Sequence, residues 1–345
     1  MFDEFALSNL FPKINTMVIS SIEFLVLLLL MMLVMNTLMI SGLLTVMGQK
    51  LASFTKTERR LAFSLCIFVF MSSAFLTNDV VLLGVVPLTI IIGVSSRIQV
   101  VKLIIFEGIA ANAGSLLTPF GNPQNIYISV HYRISFADFI KAMMPLWLIS
   151  LALLAAIVLL CFTDKELHKI HVRRHHDKIA TLGLAALFII ILYFCIGLPI
   201  VIIAPAVIVL LLATGKIKRI MHMFDWKLFL LFVGIAVITT ILLAIWTLYI
   251  VGIPLLFFAV GLSQAISNVP AAFLLSGTVD WKMLALGVNI GGSGTLISSI
   301  ATVIAFRYAK RYDLKTKAID FMKWGILFCV VQLIAILSVI HFVKI

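Results

Sequence analysis

The sequence predicts an all-α polytopic membrane protein of two inverted repeats, each with a re-entrant helical hairpin and a broken transmembrane helix. Three observations lead there: the share of apolar residues, the placement of basic ones, and a polar pattern that occurs twice. Of 345 residues, 63% are hydrophobic and 12% charged, against roughly 45–50% and 25% in a soluble domain. No soluble core of this length could hide that excess, so lipid is the solvent for most of the chain.

Apolar runs near the roughly 20 residues that cross a bilayer order the chain. The first span covers 22–47. The run 61–94 is interrupted by Thr77-Asn78-Asp79, and 101–132 is broken by NAGSLLTPFGNPQN. A short amphipathic stretch, 135–142, precedes a span over 144–162. The first repeat is thus 1–163, followed by a basic cytoplasmic loop at 164–178. The second repeat, 179–345, opens with spans 179–196 and 198–214, joined at Gly197-Leu198-Pro199. Next comes 228–251, then 252–277, interrupted by Ser267-Asn268-Val269-Pro270. The run 283–306 is broken at NIGGSGT, and 321–343 is the last span.

Basic residues set the orientation. If both interrupted runs enter and leave by the same face, 21 of the 26 Lys and Arg residues fall on the cytoplasmic side. Only Lys13, Arg133, Lys141, Lys282 and Lys344 remain outside. That asymmetry is what the positive-inside rule expects, and a full crossing by either run would spoil it. The reading is a multi-pass protein of the cytoplasmic (inner) membrane with both termini outside. The net charge of +12 therefore reports topology, and no basic stripe suggests nucleic acid.

Placing Asn112 on Asn289 aligns the two breaks without a gap. Gly114 then falls on Gly291, Thr118 on Thr295, Gly121 on Ser298 and Asn122 on Ser299, and the tips Thr77-Asn78 and Ser267-Asn268 correspond. Duplicated polar interruptions in halves of opposite topology mark an inverted-repeat transporter. Unwound backbone in a membrane is tolerated only where protein or water satisfies it. Half-helix N-termini suit an anion, and freed carbonyls suit a cation.

TNDVVLLGVVPL with ANAGSLLTPFGNPQN, then SNVPAAFLL with GVNIGGSGTLISSIATV, resembles the ion transporter superfamily. That group holds divalent-anion/sodium symporters, citrate carriers, arsenite permeases and D-type sodium/proton antiporters. The resemblance covers roughly residue 22 to the C-terminus. It implies a scaffold subdomain and a moving transport subdomain. It also implies ligand and ion contacts at Thr77, Asn78, Asn112, Thr118, Gly121 and Asn122, and at Ser267, Asn268, Asn289, Thr295 and Ser298. A coupling Na⁺ would sit at the Asn78/Asn112 and Asn268/Asn289 half-sites, and no other cofactor is expected. Two features depart from the anion symporters: Asp79 stands where they tend to carry a small neutral residue, and Val269-Pro270 replaces a further hydroxyl. A homodimer is compatible with the reading.

Asp79 and Glu107 are the acids deepest in apolar sequence, where a charge costs roughly 2.5–3.5 kcal/mol on insertion scales. Asp79, at the hairpin tip, is the preferred proton or cation carrier; the plainer alternative is an N-cap for Val80 onward. Glu107 either takes part in coupling, pairs with Lys102, or reaches the interface. Glu23, at a span end, reads as solvated. His171, His175 and His176 read as part of the basic loop, and Trp147, Trp226, Trp281 and Trp324 as interfacial anchors. The methionines of 31–39 read as lipid-facing or packing. Cys66, Cys161, Cys195 and Cys329 lie singly in apolar runs, which indicates neither disulfides nor a thiolate metal site.

The leading expectation is a secondary transporter that moves a small anion or oxyanion, coupled to Na⁺ or H⁺. Its alternative is a proton-coupled exporter, by Na⁺/H⁺ antiport or arsenite efflux. A channel fits the broken helices but needs no symmetric pair of them. An enzyme would want GxSxG, paired aspartates or HExxH, and an ATP-driven pump GxxxxGK[ST]; none occurs.

Overall fold

The computed structural model describes residues 2–96, 98–167, 178–245, 250–277 and 279–343, and helices carry the fold throughout them. The histidine-bearing stretch of the basic loop lies outside the described residues. Where one first span is expected over 22–47, two helices stand: α1 (Phe2–Ser41) and α2 (Leu43–Ser53). Gly42 takes the left-handed region at φ 71°. The Ser41 hydroxyl donates to Leu38 O (2.6 Å) and accepts from Leu43 N–H (3.2 Å), so the bend costs no backbone pairing.

The first interrupted run is a hairpin of α3 (Glu58–Phe75) and α4 (Asn78–Ser96), turning at Leu76-Thr77. The first broken helix consists of α5 (Val100–Ser115) and α6 (Pro123–His131). Asn122 caps α6 by accepting from Asn125 N–H, and Pro123 suits the first helical position because no acceptor is available there. The amphipathic stretch and span expected separately over 135–162 form one helix, α7 (Phe136–Cys161). Ser135 caps it through Asp138 N–H, and Pro145 lies inside it without ending it.

Then come α8 (Lys178–Ile196) and α9 (Ile200–Ala213), separated by the turn at Gly197, with φ 67°. A short α10 (Ile217–His222) leads to α11 (Trp226–Ile245). The second hairpin is α12 (Gly252–Ile266) with α13 (Asn268–Leu275), and the second broken helix is α14 (Trp281–Gly291) with α15 (Ile300–Arg311). α16 (Ala318–Val343) ends the fold. Among the described residues, five helices are long and apolar enough to cross a membrane: 15–41 within α1, then α7, α8, 226–243 within α11, and α16. Exposed apolar side chains such as Phe188, Val201, Leu230 and Ile334 lie on α8, α9, α11 and α16, as lipid contact requires.

The two hairpins open at opposite ends of α7. At the base of the first, Glu58 N–H donates to Lys165 O (2.9 Å) and Thr163 Oγ1 donates to Glu58 Oε2 (3.2 Å), beside the C-terminal end of α7. At the base of the second, Gly252 N–H donates to Asp280 Oδ2 (2.9 Å), and Trp281 stacks on Phe139 near the N-terminal end of α7. The 26 residues of α7 separate those bases by about 39 Å at 1.5 Å per residue.

Close backbone packing fixes α5 on α3: a Cβ at Gly114 would overlap the carbonyl of Phe70. Trp147, expected at an interface, is instead buried against Phe70 at 5.0 Å and donates from Nε1 to Gly114 O (3.2 Å). Met31 and Met35 pack in the core. Glu23 is paired rather than solvated, with Arg133 at 2.6 Å and Tyr193 Oη at 2.5 Å. Phe24 meets Tyr127, Phe273 and Phe232 edge-on at 5.2–6.5 Å, which joins α1 to α6, α13 and α11.

Gly114→Ala should lower the thermal unfolding midpoint in detergent, at a cost of about 1–3 kcal/mol from overpacking. Gly234→Ala, where a Cβ meets nothing within 4 Å, serves as the matched control and should leave the midpoint unchanged or raise it slightly.

Candidate functional site

Four half-helices begin at one point. A small cleft of about 10 Å³ is lined by Asn78 and Asp79 from α4, Pro123 and Gln124 from α6, Asn268 and Val269 from α13, and Ser299 and Ile300 at α15. These are the opening residues of all four helices. Helix geometry leaves the first N–H groups of each without an intrahelical acceptor, and each macrodipole adds partial positive charge. Asp79 is half-buried, and its Oδ1 is buried without a hydrogen-bond partner among the described residues. It does not act as the N-cap: α4 already begins at Asn78, whose Oδ1 accepts from Asp79 N–H at 3.0 Å.

The asparagines of the broken helices brace one another. Asn112 accepts from Ser299 Oγ (2.7 Å) and Asn78 Nδ2 (3.1 Å), and donates to Thr302 Oγ1 (3.2 Å) and Gly292 O (3.1 Å). Asn289 accepts from Asn122 Nδ2 (3.0 Å) and donates to Asn125 Oδ1 (2.7 Å) and Ala285 O (2.8 Å). The pairs 112/289, 122/299 and 125/302 share one spacing of 177 residues, so each asparagine crosses to the other break at equivalent positions.

The tips repeat the pattern. Asn78 N–H donates to Gly121 O (3.2 Å), and Asn268 N–H donates to Ser298 O (2.9 Å). Thr118 Oγ1 donates to Ala74 O (2.6 Å), and Thr295 Oγ1 donates to Gln264 O (3.0 Å). Each threonine thus ties its break to the adjacent hairpin arm. A Cβ at Gly121 would overlap the carbonyl of Ser115, while Ser298 Oγ donates to Gly292 O (3.0 Å).

Of the twelve residues expected at the site, Asn78, Asp79 and Asn268 line the cleft. Thr77 is buried, and its carbonyl starts α4 by accepting from Val80 and Val81 N–H. Asn112, Thr118, Gly121, Asn122, Asn289, Thr295 and Ser298 are engaged with protein partners as described. Ser267 donates to Ser298 O (3.3 Å) and holds φ 78°, ψ 154°, a region nearly reserved for glycine, so the second tip carries local strain. Asn78 and Asn112 touch, whereas Asn289 bonds Asn122 and Asn125 and no hydrogen bond joins it to Asn268.

Sequence reasoning missed Gln124, Asn125, Gln264 and Ser299. Gln124 is 2% exposed and lines the cleft. It stands beside Asn122 in GNPQN, and the repeat alignment already placed Ser299 opposite Asn122. Gln264 bridges Gly291 O (2.7 Å) and Thr295 N–H (2.7 Å), where the first hairpin has Ala74. Glu107 lies away from the cleft and is fully buried. It accepts from Thr89 Oγ1 at 2.5 Å, and its Oε2 is unpartnered among the described residues. Lys102 turns instead to Cys161 O (3.1 Å) and the Phe162 ring. The described residues hold no group of three His, Cys, Asp or Glu placed for a metal ion.

The brace is measurable. A double-mutant cycle on Asn122→Ala and Asn289→Ala, read by thermal unfolding, should give a coupling energy of about 1 kcal/mol. Additive single effects would mean that the two side chains do not support each other.

A family model described as citrate transporter (CitMHS) matches residues 5–280. The Inner membrane protein YbiR of Escherichia coli K12 is 37% identical over 299 residues, 81% of this chain and 77% of that protein. The Uncharacterized transporter MJ0456 of Methanocaldococcus jannaschii is 35% identical over 257 residues, 73% and 72% of the two chains. The Silicon efflux transporter LSI3 of Oryza sativa subsp. japonica is 29% identical over 127 residues, 37% of this chain and 26% of that one. With helices suited to span a membrane and a family match across more than half its length, this chain is a multi-pass membrane protein of the citrate transporter family.

Proposed function

We propose that the protein is a secondary active transporter of a small anion or oxyanion across the cytoplasmic membrane. Transport is coupled to H⁺ or Na⁺, and two inverted repeats drive alternating access. The observation that carries this reading is the cleft itself: four helix N-termini surround one unpaired carboxylate, Asp79, with neutral amides and a hydroxyl as the other polar groups. Four converging dipoles favour negative charge. Asp79 is then the resident anion of the cleft, and neutralising it, by a proton or a bound cation, leaves the field free for an anionic substrate. Gln124, Asn268 and Ser299 supply neutral hydrogen-bonding groups for that ligand.

At about 10 Å³ the cleft has room for roughly one water molecule. Substrate entry therefore requires a hairpin tip to part from the break facing it. Each tip is held by two hydrogen bonds, Asn78 N–H to Gly121 O with Asn78 Nδ2 to Asn112 Oδ1, and Asn268 N–H to Ser298 O with Ser267 Oγ to Ser298 O, worth about 1 kcal/mol net each. The opposite openings of the two hairpins support access from alternate faces. Thr77, Asn78, Asn112, Asn122 and Thr118 would serve one half-site, and Ser267, Asn268, Asn289, Thr295 and Ser298 the other. Most of these act by shaping the backbone rather than by touching ligand. Glu107 is a second coupling candidate, one and a half turns before Asn112.

The observation that favours an exporter is the same carboxylate. A proton-binding Asp79 would also serve Na⁺/H⁺ antiport or efflux of an oxyanion, and one relative is named for silicon efflux.

Proteoliposome flux under imposed Na⁺ or pH gradients, with succinate, citrate, arsenite and Na⁺ as cargo, separates these readings. Gradient-driven carboxylate uptake that falls about tenfold or more in Asp79→Asn is the expected result. Dissipation of a pH gradient by Na⁺ or arsenite, without carboxylate uptake, would place the protein with the exporters.

A further inference from the structure

Two cavities of about 360 and 610 Å³ lie side by side on the face where the second hairpin opens, with Arg133, Ile134 and Ser135 as their shared wall. Arg133 holds a left-handed φ of 53° as the residue that closes α6, where its N–H donates to Val130 O (3.3 Å) and Ile134 N–H donates to Ser129 O (3.0 Å). Its guanidinium is 60% exposed and pairs with the Glu23 carboxylate. In the smaller cavity the Ser129 hydroxyl, 4% exposed as a residue, has no hydrogen-bond partner among the described residues. Lys141 and Lys282 line the larger cavity opposite Asp138. That carboxylate is already committed to Ser135 Oγ (2.6 Å) at the start of α7.

The topology reading leaves five basic residues on this face, and three of them meet at these cavities. Basic residues are disfavoured on the non-cytoplasmic side, so their convergence at a concave site is not what membrane insertion alone would produce. Three cations, Arg133, Lys141 and Lys282, stand here against two carboxylates, Glu23 and Asp138, and the excess of positive charge attracts an anionic ligand. Helix α6 joins the two places: Gln124 lies in its first turn at the central cleft and Arg133 follows its last residue by two. The nine residues of α6 put them about 13 Å apart along its axis.

We propose that Arg133, with Ser129, Lys141 and Lys282, forms a capture site for small carboxylates or oxyanions, filled before the ligand reaches the central cleft. The proposal rests on the anion reading of the function. Glu23 is the internal stand-in for the ligand. An arriving anion takes its place on the guanidinium, and the unpartnered Ser129 hydroxyl completes the coordination. Glu23 keeps the hydrogen bond from Tyr193 Oη, so its displaced carboxylate retains a partner at the cavity edge.

Trp281 lines the larger cavity and serves as the reporter, with its signal isolated as the difference between wild type and Trp281→Phe. In purified full-length protein in nanodiscs, iodide should quench Trp281 about threefold more weakly in Arg133→Gln than in wild type, because the local anion concentration falls. Quenching by neutral acrylamide should be equal in the two, and succinate should compete with iodide in wild type. Equal iodide quenching in both proteins, or no competition by succinate, overturns the proposal. Should Arg133→Gln fail to fold, the exposed pair Lys141→Gln and Lys282→Gln carries the same test. A protein that moves no anion in the flux assay, yet shows the charge-dependent quenching, would refute the transport reading while supporting the capture site.

Discussion

The structure depends on one constraint: backbone that leaves the helix inside a membrane must find its hydrogen bonds within the protein. Two stretches unwind here, 116–122 and 292–299, and each is held by an asparagine from the other broken helix. Asn112 reaches Gly292 O, Ser299 and Thr302, and Asn289 reaches Asn122 and Asn125. A buried polar group left unpaired costs about 1–3 kcal/mol, so losing either asparagine would expose several such groups together. The brace ties the two unwound stretches to each other, while each hairpin tip meets a break through two hydrogen bonds.

Charge placement follows from that frame. The described residues that line the cleft include no Lys or Arg, and the starts of α4, α6, α13 and α15 lend it positive potential. A fixed dipole cannot be titrated, whereas the single carboxylate among them can be neutralised. Under the proposed function, neutralising Asp79 would give the cleft two electrostatic states. The two halves are not electrostatically equal, since the second tip offers Val269-Pro270 where the first offers Asp79. They also differ mechanically: Ser267 is held in a region that suits glycine, and Gln264 clamps the second break where Ala74 leaves the first unclamped.

Much of this was legible in the sequence because polar interruptions in apolar runs have few explanations. Both tips, both breaks and the start of the second broken half-helices were read within a few residues. What stayed hidden depends on partners far along the chain. Glu23 looks solvated until Arg133, 110 positions away, comes beside it. Trp147 looks like an interface anchor, yet its ring fills the space against Phe70. Gly42 lies within an apolar run, and hydropathy does not record a left-handed bend. At the site, residue type alone does not separate an asparagine that binds ligand from one that holds backbone. The spacing that relates Asn112 to Asn289 was visible, but that each serves the opposite break emerges only from their bonds. Gln124 was missed because a single amide after a proline reads as part of the turn.

The central claim is that two hairpins enter from opposite faces and bring their tips to one cleft. In a background free of native cysteines, Ser53→Cys lies by the base of the first hairpin and Val279→Cys by the base of the second, both at exposed positions. A membrane-impermeant maleimide applied to sealed right-side-out and inside-out vesicles reads the face of each. The account predicts that the two cysteines label from opposite faces, Val279→Cys from the side bearing Arg133. Labelling of both from the same face would contradict it.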